Sequence, residues 1–257
     1  MMIEEKSAAF LQLHEDDALL SVVNVWDAIS AQVVAQTPGT TALATASHSI
    51  SATLGYPDGE VIPFEEHLLM IRRIVATTDL PVSADLEAGY GDAGEAVRRA
   101  IGVGVVGANI EDQMKPMAEA TRAVEAVMNA GDKEGIRFVL NARTDAFLRA
   151  GDKDPSEVLD EAIKRGLAYL QAGAPVVFVP GKLDENQVRS LVDAFGPRKL
   201  TMIGVPGSLP SARLQELGVA RVSYGPWSQR VALTALQNLA RTVADGGGIP
   251  NGTEPLN

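Results

Sequence analysis

Leu19-Leu20-Ser21-Val22-Val23-Asn24-Val25 runs through Trp26-Asp27 into Ala28-Ile29-Ser30-Ala31-Gln32-Val33-Val34-Ala35-Gln36. The first run is aliphatic and β-branched and too short for a helix, while the second has helical spacing, so together they read as one βα unit. The alternation recurs. Further strands are expected at Thr41 to Ser47, Pro81 to Glu87, Gly107 to Asp112, Phe138 to Asp145, Pro175 to Gly181, Leu200 to Gly207 and Arg221 to Gly225. Amphipathic segments lie between them at Phe64 to Thr77, Ala93 to Val103, Pro116 to Ala130, Ser156 to Ala172 and Glu185 to Phe195, each long enough to cross between parallel neighbours. Eight such units in about 250 residues is the arithmetic of a (β/α)8 TIM barrel. Gly131, Gly173 and Gly218 stand where helices would stop. An open doubly wound sheet would place Gly-x-Gly-x-x-Gly after its first strand. Here that position is Asn24-Val25-Trp26-Asp27, and the glycine match at Gly102 to Gly107 precedes a strand instead of following one.

Composition narrows the function. Lys plus Arg is 22 against 33 Asp plus Glu, a net charge of −11, which would be repelled by phosphate backbones and anionic lipid surfaces, so no nucleic-acid or membrane partner is expected. The absence of cysteine excludes disulfides, thiolate metal sites and a cysteine nucleophile. No apolar run approaches the ~20 residues of a membrane helix, and Met1 to Phe10 reads as neither secretory signal nor transit peptide. A cytoplasmic protein is expected, with one barrel domain over residues 1–245 and a flexible tail over 246–257 that begins Gly246-Gly247-Gly248.

Barrels of this kind carry their chemistry at the carboxyl ends of the strands. Here those ends read Asp27, Thr45-Ala46-Ser47-His48, Asp85-Leu86-Glu87, Glu111-Asp112 and Asn141-Ala142-Arg143-Thr144-Asp145. Two apart on an extended strand, Asp85 and Glu87 would face the same side and repel each other unless a cation lay between them. Mg2+, or Mn2+, suits such oxygen ligands, with Glu111 placed to bind a metal water. The other reading of the pair is a solvated strand end bridged to Arg98 or Arg99. Arg143 suits a carboxylate or phosphate, or else pairs with Asp145 or Glu111. Thr45 to Ser49 offers hydroxyls and N–H groups to an anion. Asp58, within Pro57-Asp58-Gly59, reads first as a turn residue. His48 is a candidate acid/base, whereas His14 and His67 read as surface residues.

Five ordered motifs, Asn24-Val25-Trp26-Asp27, Leu54-Gly55-Tyr56-Pro57-Asp58, Asp85-Leu86-Glu87-Ala88-Gly89-Tyr90-Gly91, Ile110-Glu111-Asp112-Gln113 and Asn141-Ala142-Arg143-Thr144-Asp145, resemble the isocitrate lyase / phosphoenolpyruvate mutase superfamily over about residues 10 to 240. The resemblance implies a Mg2+-dependent barrel acting on small 2-oxo or 2-hydroxy acids, through a pyruvate enolate held on the metal. It also implies a homo-oligomer, a dimer or a tetramer of dimers that exchange their C-terminal helix, here Ser228 to Ala244. By motif, Asp85, Glu87 and Glu111 would serve the metal. Trp26, Asp27, Thr45, Ala46, Ser47, Asn141 and Arg143 would surround the substrate, and Asp58 would stand near the reacting group.

The chain departs from the named branches. The lyase branch carries a catalytic cysteine loop after its fourth strand, where this chain has Gln113-Met114-Lys115-Pro116. The mutase branch has a lysine where Gln113 stands; Ala46 replaces a cradle serine, and Glu87 a more usual aspartate. A lyase on an oxaloacetate-like dicarboxylate, by decarboxylation or C–C cleavage, asks least of these residues, with Tyr90 or His48 protonating the enolate. The alternatives are a C–P bond enzyme of the phosphonopyruvate type and a non-catalytic 2-oxo acid binder.

Overall fold

Parallel strands dominate the computed structural model, which describes residues 1–256. The strands are β1 (Leu20–Val22), β2 (Asn24–Val25), β3 (Leu43–Thr45), β4 (Val82–Asp85), β5 (Gly107–Glu111), β6 (Val139–Arg143), β7 (Val176–Phe178), β8 (Leu200–Ile203) and β9 (Arg221–Ser223). Their order is β1-β9-β8-β7-β6-β5-β4-β3-β2, every pair parallel. Because β1 and β2 are one stave interrupted at Val23, β1 pairs with β9 while β2 pairs with β3, and nine segments make a nearly closed eight-stave barrel. The expected (β/α)8 fold is the observed one.

The helices are α1 (Ile3–Glu15), α2 (Ala28–Gln36), α3 (Ser47–Leu54), α4 (Phe64–Val75), α5 (Ala93–Ile101), α6 (Met117–Lys133), α7 (Pro155–Gln171), α8 (Glu185–Phe195), α9 (Ser211–Glu216) and α10 (Trp227–Ala244). Helix α5 shows the rule: Ala93, Ala96, Val97, Ala100 and Ile101 are buried at the i, i+3, i+4, i+7, i+8 spacing of one helical face. Helix starts are set by aspartates. Asp27, Asp92, Asp154 and Asp184 each accept a backbone N–H from the first turn of α2, α5, α7 and α8, a contribution of about 1 kcal/mol apiece.

The structure corrects several sequence expectations. The strand expected through Ser47 ends at Thr45, because Ser47 opens helix α3. Gly131 does not end a helix; it lies inside α6, where a Cβ would sit 2.7 Å from the Phe138 Cβ, so the missing side chain lets the helix close on the chain entering β6. His14 and His67 are buried rather than exposed. Helix α1, the helical segment that carries His14, buries Ser7, Phe10 and His14 beneath the amino ends of the strands. There the His14 Nδ1 lies 2.8 Å from the Phe10 carbonyl, and burial, then Arg221, push the imidazole down to about 3.

Helix α10 is held at its start, where Gln229 donates to the Ser49 carbonyl and Ser228 to the Asn24 carbonyl. Beyond that it stands away from the barrel, with Val231, Leu233 and Leu236 exposed by 70%, 54% and 61%. Among the described residues, no helix is long and apolar enough to cross a membrane.

Candidate active site

The carboxyl ends of the strands open on a cavity of about 350 Å3 that reaches Ser47, His48, Asp58, Asp85, Asn109 and Arg143. A neighbouring cavity of about 340 Å3 shares Ser47, Asp58 and Arg143 with it and adds Glu87, Glu111 and Asp145. Of the expected substrate-binding residues, Ala46, Ser47 and Arg143 line the larger cavity, while Trp26, Asp27, Thr45 and Asn141 do not. Asp27 is spent on capping α2, and Trp26 packs partly buried against the core. Asn141 is fully buried, donating to Asn109 at 2.7 Å and accepting from Thr201. It fixes the Asn109 side chain that does reach the cavity, a residue sequence reasoning missed.

Asp85 is the last residue of β4. Its N–H donates to the Thr45 hydroxyl at 3.0 Å, and its Oδ2 accepts the Ser47 N–H at 3.1 Å and the Ser47 hydroxyl at 2.8 Å. The carboxylate therefore sits at the amino end of α3, where unpaired N–H groups favour negative charge. Its other oxygen, Oδ1, is buried without a hydrogen-bond partner.

Glu87 does not share the face of Asp85 by strand alternation, because β4 has ended and Glu87 sits at φ 53. This left-handed backbone turns it, still buried, to accept the Glu60 N–H on Oε2 and the Tyr90 hydroxyl on Oε1 at 3.3 Å. Glu60 accepts the Tyr90 N–H in return at 2.6 Å, and His67 Nδ1 lies 2.8 Å from the Tyr90 oxygen. The loop carrying Asp58 is thus clasped to the loop after β4. That loop turns at Gly89, φ 92, where a Cβ would lie 2.5 Å from the Ala93 Cα. Tyr90 consequently stands behind Glu87, outside the lining of both cavities.

Arg143, at the end of β6, pairs with Glu111 at 2.7 Å and with Asp145 at 2.7 Å. The structural pairing and the place in the cavity wall, weighed as alternatives from sequence, are both present. Arg98 and Arg99 are engaged elsewhere, by Glu95 and Glu65, so neither neutralises Asp85 or Glu87. Burial, then the neighbouring Asp85, pushes the Glu87 carboxyl up to about 7, and burial does the same to Glu111 against the opposing pull of Arg143. His48 Nδ1 faces Asp58 Oδ2 at 3.4 Å, both side chains about half exposed at the lip.

Beneath this layer Asp112 ties the ends of β5 and β6 together. Its Oδ1 accepts the N–H groups of Met114 and Asp145, and its Oδ2 accepts from Arg165 at 3.0 Å and from Tyr169 at 2.6 Å. Sequence spacing carried no signal for this, since the partners lie on the distant helix α7. Asn24 acts likewise at the seam, donating to the Thr45 carbonyl and accepting the N–H groups of Tyr224 and Gly225.

Among the described residues no three His, Cys, Asp or Glu side chains converge as a ready-made metal cage. The donor set still fits a hard divalent ion, which commonly takes one or two carboxylates and keeps several waters. The buried, unpartnered Asp85 Oδ1 is a free ligand of that kind, and Glu87 and Glu111 line the adjoining cavity, which shares Ser47 and Arg143 with the one Asp85 lines.

A parallel eight-stave barrel whose strand ends gather acids, an arginine and helix-start N–H groups around one cavity has the architecture of the (β/α)8 enzymes. The phosphoenolpyruvate phosphomutase family model matches residues 10–244, and the chain belongs to that family, within the isocitrate lyase / phosphoenolpyruvate mutase superfamily. A crystal structure from Burkholderia cenocepacia, provisionally described as a phosphonomutase, is 37% identical, superposes with a TM-score of 0.86 and covers 96% of this chain and 100% of its own. The oxaloacetate decarboxylase of Pseudomonas aeruginosa is 27% identical over 92% of this chain and 85% of its own. The 2-methylisocitrate lyase of Halalkalibacterium halodurans is 26% identical over 98% and 87%.

Proposed function

We propose that the protein is a divalent-metal-dependent carbon–carbon lyase acting on a small 2-oxo or 2-hydroxy dicarboxylic acid. The observation that carries this is the buried, unpartnered Oδ1 of Asp85, sharing a cavity with Ser47, Arg143 and the His48–Asp58 pair. Asp85, Glu87 and Glu111 would hold Mg2+ or Mn2+, which supplies Lewis-acid withdrawal of electrons from the 2-oxo group. The substrate carboxylate is bound by Arg143, whose guanidinium is kept in place by Glu111 and Asp145. Ser47, which lines the cavity while donating its hydroxyl and N–H to Asp85, holds that carboxylate in position beside the acid end. Negative charge developing at the 2-oxo oxygen as the C–C bond breaks is favoured by the same guanidinium. At the lip, His48 delivers a proton to the carbon left behind or, for a 2-hydroxy acid, takes the hydroxyl proton, with Asp58 orienting the ring. Tyr90 acts through Glu87, holding its carboxylate with Glu60.

The likeness to the Burkholderia cenocepacia protein supports a second reading, C–P bond chemistry on a phosphonate analogue of the same acids. One NMR time course separates the readings. Oxaloacetate, methylisocitrate, dimethylmalate and phosphonopyruvate are followed with Mg2+, with EDTA and without enzyme. The expected result is Mg2+-dependent loss of a dicarboxylate above the uncatalysed rate, reduced on the order of 10³-fold in Asp85→Asn. Loss of phosphonopyruvate alone establishes the second reading. Ligand binding with no turnover of any compound leaves a binder in place of an enzyme.

A further inference from the structure

The acid-binding end fills only part of the larger cavity. At a share of about 30 Å3 per water, its roughly 350 Å3 hold on the order of ten waters, and a three-carbon acid anchored at Ser47 and Arg143 displaces only some of them. The remaining wall has a different chemistry. Phe178, Ile203 and Val205 line it with hydrocarbon, together with Leu148, which is 55% exposed. At its rim stands Lys182, two residues beyond Pro180 in the connection from β7 to α8.

Barrel topology places Lys182 with respect to the acid end. In the order of staves, β7 lies four steps from β3, so the loop carrying Lys182 is diametrically across the mouth from Ser47, and β8 with Ile203 is likewise across from β4 with Asp85. The ammonium lies over Gly207, where an added Cβ would meet Lys182 Nζ at 2.8 Å, so the next loop leaves it room by carrying no side chain there. The other basic residues lining the cavities have carboxylate partners: His48 faces Asp58, Arg149 pairs with Asp145 at 3.5 Å, and Arg143, held by Glu111 and Asp145, serves the acid end. Lys182 forms no ion pair among the described residues, although two carboxylates, Asp58 and Asp85, line the same cavity. An uncommitted cation across an apolar wall from an acid site is what a second, distal anion would require.

We propose that Lys182 is the anchor for a distal carboxylate. The substrate class is then a 2-oxo or 2-hydroxy dicarboxylic acid whose two ends are separated by a hydrocarbon spacer lying along Phe178, Ile203 and Val205. This rests on the functional reading above and deepens it, favouring longer diacids over oxaloacetate and phosphonopyruvate.

The test is calorimetric titration of the full chain in Mg2+ with matched acids. 2-Oxoglutarate and 2-oxoadipate are compared with 2-oxopentanoate and 2-oxohexanoate, which lack the distal carboxylate; oxalate reports the acid end alone, and phosphonopyruvate the other anion. The wild type is expected to prefer at least one diacid over its monoacid by about tenfold. Lys182→Met removes that preference while oxalate affinity stays within about twofold, and Lys182→Arg retains most of it. A preference that survives Lys182→Met, or is absent from a wild type that binds oxalate, overturns the anchor and leaves the functional reading intact. A Lys182 effect confined to phosphonopyruvate overturns the dicarboxylate assignment. A wild type that does not bind oxalate overturns the functional reading, and the anchor with it.

Discussion

Glu87 and Glu111 are carboxylates that the fold withdraws from water beside other acids, and both are pushed from an ordinary value of 4.5 up to about 7. Between those values the folded chain holds protons that the unfolded chain has released. Stability from this source is therefore greatest below 4.5 and declines as pH rises towards 7. The melting temperature of the metal-free protein is expected to fall by a few degrees between pH 5 and pH 7.5. In the Glu87→Gln/Glu111→Gln double variant the slope should flatten, and calorimetric scans in EDTA check both. An unchanged slope in the double variant would assign the effect to other groups. Tyr90 and Glu60 belong to the same scale, because a left-handed residue at position 87 makes their hydrogen bonds possible.

At the scale of elements, the helices are placed on the barrel by small residues at close approaches. Gly131 is the sharpest case, since the atom a new Cβ would strike is the Phe138 Cβ, fixed to its own backbone and unable to swing away. Gly131→Ala gains about 1 kcal/mol in helix propensity but incurs roughly 1–3 kcal/mol of overpacking. A net loss of stability is expected, measured as a lower urea midpoint with an unchanged slope; a gain would show that α6 can shift. Glycine after an apolar helical run resembles a helix stop in sequence, and the close packing that explains it involves a residue seven positions later, in the chain entering β6.

At the scale of the molecule, helix α10 is anchored beside the mouth and then leaves the barrel with Val231, Leu233 and Leu236 in solvent. Exposed apolar side chains repeated along one helix mark a surface that association buries. A helix exchanged between protomers, implied by the family resemblance, would do this. The expected outcome is a dimer or tetramer by size-exclusion chromatography with light scattering, reduced to monomer in Val231→Asp/Leu236→Asp. A monomeric wild type would sink the exchange. Since Ser228 on the same helix donates to the Asn24 carbonyl at the mouth, assembly and site geometry share an element.

The alternation of apolar runs with helical periods was sufficient for the barrel, and the polar strand ends were sufficient to place Asp85, Glu111 and Arg143 at one mouth. Both are local signals: a strand's burial pattern and its final residue are written within a few positions of each other. What only the tertiary structure decided depends on partners far apart in the chain. Glu87 faces Glu60 and Tyr90 rather than Asp85, because a backbone torsion ends the alternation that sequence spacing assumes. His67 is buried against Tyr90, and Asn141 supports Asn109 instead of lining the cavity. Lys182 comes to face Ser47 across the mouth only when eight staves close into a ring, a relation that no linear spacing encodes.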